Sequence, residues 1–477
     1  MQLFPYTPQM SPTKIQAICN KILRNHLPSF IAKSFMTLNP TTPYLHNWHL
    51  DLIAEYLNAC HTREIKRLII NIPPRSLKSI SVSVAFPAWI LGHNPAEKVI
   101  VASYGQNLSN KHSTDCRNLI MSKWYQSVFP SVQFSSDQNE KHKFVTTKRG
   151  HRIATSVGSG ITGEGGNFLI VDDPHNPMQA INNTQRRIAL DWFDNTFMSR
   201  LDDKKNGVVI VVMQRLHTED LTGYLLAKKT GWEHLCLPAV AEKKTIIDFH
   251  NIKIIRQVGD VLHPQREDKL LIEKAKKELG SYAFAGQYQQ HPVPLGGGMI
   301  KQNWFMRYKS PPANPINIIQ SWDTAIKSNK LNDSTVCTTW FETEKGYYLA
   351  DVLKIKAEYP ELKRAVVSSA TKYNPSVILI EDKASGQSLL QDLNAETRLP
   401  LIGISPTKDK ITRVAQISAV IEAGRVFLPE NAAWLTDFET EITAFPNATH
   451  DDQVDSVSQF LNWIRTRKVE HMVIRRL

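Results

Sequence analysis

The sequence predicts two α/β domains, the first built on a mostly parallel sheet, and three observations point there. Between Leu68 and about Val212, apolar runs of strand length ("RLIINI", "KVIVAS", "FLIVDD", "GVVIVVM") alternate with longer polar stretches that suit helices. Strands that alternate with helices line up in parallel, with the helices covering the sheet faces. At residues 291 to 299, "HPVPLGGGM" has the composition of a linker. Beyond it, "INIIQSWDTAI", "STVCTTWFETEKGYYLADVLKI" and "PSVILIED" read as strands, with Glu344-Lys345-Gly346 as a hairpin turn. A closing helix is expected from His450 to about Thr466. A chain of 477 residues exceeds one ordinary core, which agrees with two domains joined near residue 295.

Taken in order, the first segment, "TKIQAICNKILRNHLPSFIAKSF", spaces Ile15, Ile18, Ile22 and Leu23 at helical intervals, and Pro28 is expected to interrupt it. It is part of a fifty-residue stretch without an acid, carrying Lys14, Lys21, Arg24 and Lys33. The far end, "RTRKVEHMVIRRL", has five basic side chains and one Glu. With 57 Lys and Arg against 45 Asp and Glu, the formal charge of +12 favours polyanionic partners, because each phosphate contact releases counterions. A merely solvated basic surface fits the same excess. No stretch is long and apolar enough to span a bilayer, and no secretory signal is read at the N-terminus. The five cysteines are scattered and never paired as CxxC, which points to a reducing compartment and away from a zinc site.

"LIINIPPRSLKSISVSV", residues 68 to 84, has the outline of a phosphate-binding loop: strand, loop, then Lys78-Ser79 opening a helix. Such a loop works because backbone N–H groups converge on phosphate, a Lys neutralises it, and a hydroxyl binds Mg2+. Arg75, Ser76, Leu77, Lys78 and Ser79 form the expected cradle, with Ile72 and Leu77 standing where glycines are usual. About ninety residues on, "NFLIVDDP" is a strand ending in Asp172-Asp173. It is expected to lie beside the phosphate-loop strand, Asp172 on the metal and Asp173 on the attacking water. Just before it, "SVGSGITGEGG" puts five glycines in eleven residues, and two uses fit residues 158–166: a lid, or a DNA contact. A further strand ends in Gln214-Arg215, a position that suits a sensor of phosphate state as well as a plain surface ion pair.

Beyond the linker, acids stand where apolar residues are expected. Asp323 interrupts one strand, Glu381 and Asp382 end another, and "HDDQVDSVSQFLNWI" places Asp451, Asp452 and Asp455 at i, i+1 and i+4. Read as a helix, that segment buries Val454, Val457, Leu461 and Ile464. Like charges at such spacing repel, so a neutralising partner is required, and a pair of divalent metals would serve. A strand Asp, an acid on a later strand end and an acid on the last helix suit the ribonuclease-H fold.

Together these residues resemble the large terminase subunit of tailed bacteriophages. The motifs are "PPRSLKS", "GSGITGEGGNFLIVDDP", "MQRLHTEDLTG", "QYQQHP", "SWDTA", "IEDKASGQSL", "TKDKITR" and "HDDQVDS". The resemblance implies an N-terminal P-loop ATPase that pumps double-stranded DNA into a capsid. It also implies a C-terminal ribonuclease-H-like, metal-dependent nuclease. By the same resemblance, ATP is expected on Arg75, Lys78 and Ser79, with Mg2+ on Asp172, and Asp173 takes the place of a catalytic Glu. Trp48 or His49 lies by the adenine. Mg2+ (or Mn2+) is held by Asp323, Glu381 and Asp452, with Asp451 and Asp455 as auxiliaries and Asp382 as the alternative to Glu381. The resemblance also implies that Lys408, Lys410 and Arg413 contact DNA. The implied partners are the portal and procapsid, a small terminase subunit and four further copies of the chain, in the host cytoplasm. The expected divisions are a basic helical arm (1–45), the ATPase (46–240), a lid or linker (241–300), the nuclease (301–467) and a basic tail (468–477). A helicase-type remodelling ATPase leaves the second acid set unexplained, and a transposase-type nuclease leaves Lys78 and Asp172 unexplained.

Overall fold

The structure, a computed structural model, describes residues 11–161, 163–228, 231–293, 298–324, 334–382, 385–446 and 451–474. Residues 294–297 of the expected linker, Thr162 of the glycine-rich loop and the side chains of the basic tail lie outside the described residues. The chain divides into two compact units, Met1–Glu273 with Ala283–Val293, and Lys274–Tyr282 with Pro294–Leu477. Both are α/β, as the alternation of apolar and polar segments implies.

The first unit is built on eight strands: β1 (Arg67–Asn71), β2 (Lys98–Ser103), β3 (Phe134–Asn139), β4 (Lys143–Thr146), β5 (His151–Ser156), β6 (Phe168–Asp172), β7 (Val208–Met213) and β8 (Glu233–Cys236). Their order is β3-β4-β5-β2-β6-β7-β1-β8, parallel from β5 to β8 and antiparallel at β3 and β4. Alternate side chains feed two cores. Leu68, Ile70, Val208, Ile210 and Val212 face one, and Ile69, Val209, Val211 and Met213 the other. Each such side chain contributes roughly 1.5–3 kcal/mol by leaving water, so helices are needed on both faces. A separate hairpin, β9 (Thr245–Phe249) with β10 (Ile252–Arg256), follows.

Two expectations are corrected here. The strand ending in Asp172 does not lie beside the phosphate-loop strand, because β7 stands between β1 and β6. The reason is composition: all six residues of β7 are apolar and buried, so it occupies the sheet interior. The N-terminal helices break at His26, not at Pro28. The His26 side chain caps the second helix, Leu27–Leu38, and Pro28 sits in its first turn, where a missing N–H costs nothing.

The second unit carries β11 (Met306–Tyr308), β12 (Asn317–Asp323), β13 (Thr335–Glu342), β14 (Tyr347–Ile355), β15 (Val377–Glu381), β16 (Leu401–Ile404) and β17 (Val426–Pro429). Their order is β11-β17-β14-β13-β12-β15-β16. β12, β13 and β14 form an antiparallel meander, and β15 pairs parallel to β12 and to β16. The closing helix runs Asp452–Ile474, with Val454, Val457, Leu461 and Ile464 buried against the sheet and Phe460 stacked on Trp340.

Polar side chains fix that helix in register. Ser456 Oγ donates to the Ser321 carbonyl at 2.7 Å, and Ser321 Oγ returns a bond to the Ser456 carbonyl at 2.8 Å. Gln459 Nε2 donates to Ser321 Oγ at 3.0 Å. Buried hydrogen-bonded pairs of this kind tolerate no slip, so the helix start is held beside the end of β12.

Candidate functional site

The first unit presents its site where β1, β6 and β7 end. After β1 the chain passes Ile72, Pro73 and Pro74 and turns through two left-handed residues, Arg75 (φ 62°) and Leu77 (φ 60°). Left-handed backbone costs an L-residue about 1–2 kcal/mol, so the loop adopts its conformation without glycine at a price in strain. A helical run then covers 78–93, including a π-helical stretch at Ile80–Ala85, a feature frequent at functional sites. Arg75 is exposed at the loop tip, whereas Ser76 and Lys78 are buried.

Lys78 Nζ lies 2.9 Å from Asp173 Oδ2. Asp173 is itself left-handed (φ 45°), and its Oδ1 accepts from the Gln214 N–H at 3.2 Å. Asp172, fully buried, accepts from Ser79 Oγ at 3.1 Å and from Ser83 Oγ at 2.7 Å. Burial pushes both carboxyls above their ordinary range, while Lys78 pulls each of them down. Arg152, also fully buried, donates through Nη2 to the Ser83 carbonyl at 3.1 Å and adds positive charge near Asp172. Ser83 and Arg152 were missed in the sequence. Ser83 lies one turn beyond Ser79 on the same helical run, which is a usable signal; an Arg inside a strand-like segment gives none.

Arg215 is engaged elsewhere. Its Nε contacts both oxygens of buried Asp220, at 2.9 and 3.0 Å, and its backbone N–H donates to Gln290 Oε1 at 2.9 Å. The pair holds the turn after β7, with Asp220 also accepting from the N–H groups of Leu216 and Gly223. Trp48 and His49 separate. Trp48 lines a cleft of about 820 Å³ with Asn47, Arg256, Asp260, Pro264 and Asp268, and the Arg256 guanidinium lies 5.8 Å from its ring centre. His49 turns inward beside the Ser76 backbone, and burial pushes it down to about 3, so it is neutral.

In the second unit, parallel pairing of Trp322 with Ile380 sets the ends of β12 and β15 side by side, bringing Asp323 next to Glu381. Gly386 allows the next helix to start close by: a Cβ there would meet the Glu381 carbonyl oxygen at 1.8 Å. Asp323 is pushed well above the carboxylate range, first by burial and then by Asp455, Glu381 and Asp452, and it shares a hydrogen bond with Glu381. Asp382 points away, accepting from Ser405 Oγ at 3.3 Å, as strand alternation requires.

Asp451 and Asp455 face cations of the chain. Lys410 Nζ lies 2.7 Å from Asp451 Oδ1 and 2.7 Å from Asp455 Oδ2, and Arg413 Nη2 lies 2.7 Å from Asp455 Oδ1. Asp455 is nonetheless raised, because burial outweighs Arg413 and Lys410. Lys408 is exposed. Among the described residues, no group of three His, Cys, Asp or Glu side chains stands ready-made to hold a metal. The donor chemistry of Asp323, Glu381 and Asp452 nevertheless fits a hard, oxygen-seeking divalent cation, which would relieve the repulsion that raises Asp323.

Residues 320–463 match the family described as the terminase RNaseH-like domain. No curated protein matches the chain. Among solved structures, the large terminase of a thermophilic bacteriophage in complex with ATP-γ-S aligns with a TM-score of 0.51 and 10% identity, over 85% of this chain and 98% of that one. A second crystal form of the same phage protein gives a TM-score of 0.52 at 10% identity, over 86% and 98%. At this identity the likeness is one of fold. Family match and fold together bear out the resemblance to large terminase subunits read from the motifs.

Proposed function

We propose that the chain is a large terminase subunit that drives double-stranded DNA into procapsids by hydrolysing ATP and cuts the DNA with divalent cations. The observation that carries this reading is the presence, in one chain, of two acid sites of different chemistry. Lys78 and Ser79 converge on Asp172 and Asp173 in one unit, and Asp323 meets further carboxylates in the other. The likeness of fold to a phage terminase that binds ATP-γ-S adds support.

In the first unit, Lys78 is the cation placed to meet the β- and γ-phosphates of ATP, with Arg75 at the loop tip as the second. Moving Lys78 onto phosphate releases Asp173 Oδ2, which then accepts a hydrogen bond from the attacking water. Ser79 and Asp172 are the residues that would hold Mg2+, which supplies charge neutralisation at the phosphates. Trp48, on its cleft, is the surface for the adenine ring. In the second unit, Asp323, Glu381 and Asp452 would hold Mg2+ or Mn2+, whose chemistry is to activate a water and steady the leaving oxygen. Exposed Lys408 steers the DNA backbone. The portal, a small terminase subunit and a pentameric assembly complete the proposed machine.

The test is packaging in vitro with purified procapsids, ATP and linear DNA, scored as nuclease-protected DNA. Protection that requires ATP and is lost in Lys78→Ala is expected. A chain that hydrolyses ATP on DNA yet protects none would overturn the packaging role and leave a remodelling ATPase.

A further inference from the structure

We propose that Arg152 is a positioning residue of the nucleotide site. By fixing Ser83 it holds one oxygen of Asp172, Oδ2, and leaves the other, Oδ1, for Mg2+. The inference rests on the ATPase reading above and goes beyond it in naming the group that sets the metal-binding carboxylate.

Three features carry it. First, the two oxygens of Asp172 have different partners. Oδ1 accepts from Ser79 Oγ at 3.1 Å, and Ser79 is the hydroxyl placed to bind Mg2+. Oδ2 accepts from Ser83 Oγ at 2.7 Å, and His112 Nδ1, on the helix Gln106–Met121, lies 3.5 Å from it. A hydroxyl bond to a carboxylate strengthens as it shortens, so Ser83 decides how Asp172 is turned.

Second, Ser83 sits on backbone that needs holding, and Arg152 holds it. The Ser81 N–H donates four residues back, to the Leu77 carbonyl at 2.9 Å, whereas the Phe86 N–H reaches five back to the Ser81 carbonyl. The run thus widens from α to π pitch around Ser83, and π turns are rare and found mostly at functional sites. Arg152 Nη2 donates to the Ser83 carbonyl, inside that stretch, at 3.1 Å. On β5, Arg152 pairs with Val99 of β2, whereas Asp172 of β6 pairs with Ser103, four residues further along β2. Four residues of strand span about 13 Å, so the bond of the guanidinium goes to Ser83 and the acid is reached through it.

Third, stability does not account for Arg152. Its side chain is fully buried, and among the described residues Nε and Nη1 have no hydrogen-bond partner. A buried guanidinium left in this state destabilises the fold relative to a well-packed apolar side chain. Its place in the core is explained by the one bond it makes.

The test reads the affinity of the full chain for ADP carrying a fluorescent group, without DNA, in EDTA and in saturating Mg2+. Wild type is compared with Arg152→Met, Arg152→Lys, Ser83→Ala, the double variant Arg152→Met with Ser83→Ala, and Asp172→Asn, each checked by thermal unfolding. Arg152→Met is expected to cut the Mg2+-dependent gain in affinity by about tenfold and to leave the affinity in EDTA unchanged. Arg152→Lys keeps the charge but shortens the reach, so a smaller loss of the same kind is expected. Ser83→Ala should match Arg152→Met, and the double variant should lose nothing more, because both changes act on the same oxygen. An Arg152 variant that folds and keeps the wild-type gain would overturn the proposal. So would a loss equal in EDTA and in Mg2+, the mark of general packing, or effects that add in the double variant. Ser83→Ala with the wild-type gain would overturn it too, and that comparison stands even if the Arg152 variants fail to fold. If Asp172→Asn keeps the gain, or wild type binds no nucleotide, the nucleotide-site reading itself fails, which is a separate result.

Discussion

The two acid sites of this chain answer the same electrostatic problem in opposite ways. In the first unit, Asp172 is buried and Asp173 half-buried at a strand end, but the chain meets them with Lys78, two serine hydroxyls, a backbone N–H and the nearby Arg152. In the second, Asp323 is half-buried at a strand end, and the described charges that act on it most are further carboxylates. The lesson concerns what each site asks of its ligand. On the proposed reading, the first would give up an ion pair to take phosphate, so binding would be an exchange of partners for Lys78. On the same reading, the second would gain an attraction from a divalent cation, so binding would be relief of repulsion.

The largest expected effect separates the two chemistries. Lys78→Ala should lower ATP hydrolysis by about a hundredfold or more while leaving metal-dependent plasmid cutting intact. Asp323→Asn, Glu381→Gln and Asp452→Asn should each abolish cutting and spare the ATPase. Steady-state ATPase and plasmid nicking on the same preparations check both. Near-normal ATPase in Lys78→Ala would remove the loop as the nucleotide site, and cutting at the wild-type rate in Asp323→Asn would remove the acid cluster as the nuclease.

Next in size is the support of Asp172. Ser83→Ala deletes the 2.7 Å bond to a fully buried carboxylate, and the expected cost is about tenfold in ATPase with a loss of roughly 1–3 kcal/mol in stability. Unchanged ATPase and unchanged unfolding would show that Ser79 alone holds Asp172.

The contrast also has a sign in pH. Asp323 has a raised carboxyl, so the folded chain keeps a proton that the unfolded chain releases near about 3.9. Its contribution to stability therefore falls as pH rises through the folded value and recovers as pH drops. Asp323→Asn mimics the protonated form and should raise the melting temperature at neutral pH by roughly 2–4 °C. That gain should shrink on acidification, when the wild-type acid is protonated as well, and also shrink when Mn2+ is added to wild type alone. Thermal unfolding of both proteins between pH 7.5 and 5 decides it; a gain that does not change with pH would mean that repulsion at Asp323 is not its source.

The smallest effect is expected at Leu77→Gly. Glycine relieves left-handed strain but gives the unfolded chain more freedom, and the two nearly cancel, leaving a change under about 1 kcal/mol in chemical denaturation. A loss well beyond that would show that the half-buried leucine side chain, rather than the backbone, shapes the loop.

Much of this was legible in the sequence because it rests on local periodicity. Alternation of strand and helix signals marks α/β units, carboxylates at strand ends mark Asp172, Asp323 and Glu381, and helical spacing marks the buried face of Val454, Val457 and Leu461. Strand alternation also separates Glu381 from Asp382, the runner-up to it in the sequence. What tertiary structure alone decided is which distant groups meet. It put β7 between β1 and β6, carried Arg215 to Asp220, split Trp48 from His49, and brought Lys410 and Arg413 onto Asp451 and Asp455. It also twisted Arg75 and Leu77 into a conformation that their identities argue against. The physical reason is range. Side-chain period and strand length follow from backbone geometry a few residues at a time, whereas charge pairing and strand order follow from which surfaces the whole chain can bury together.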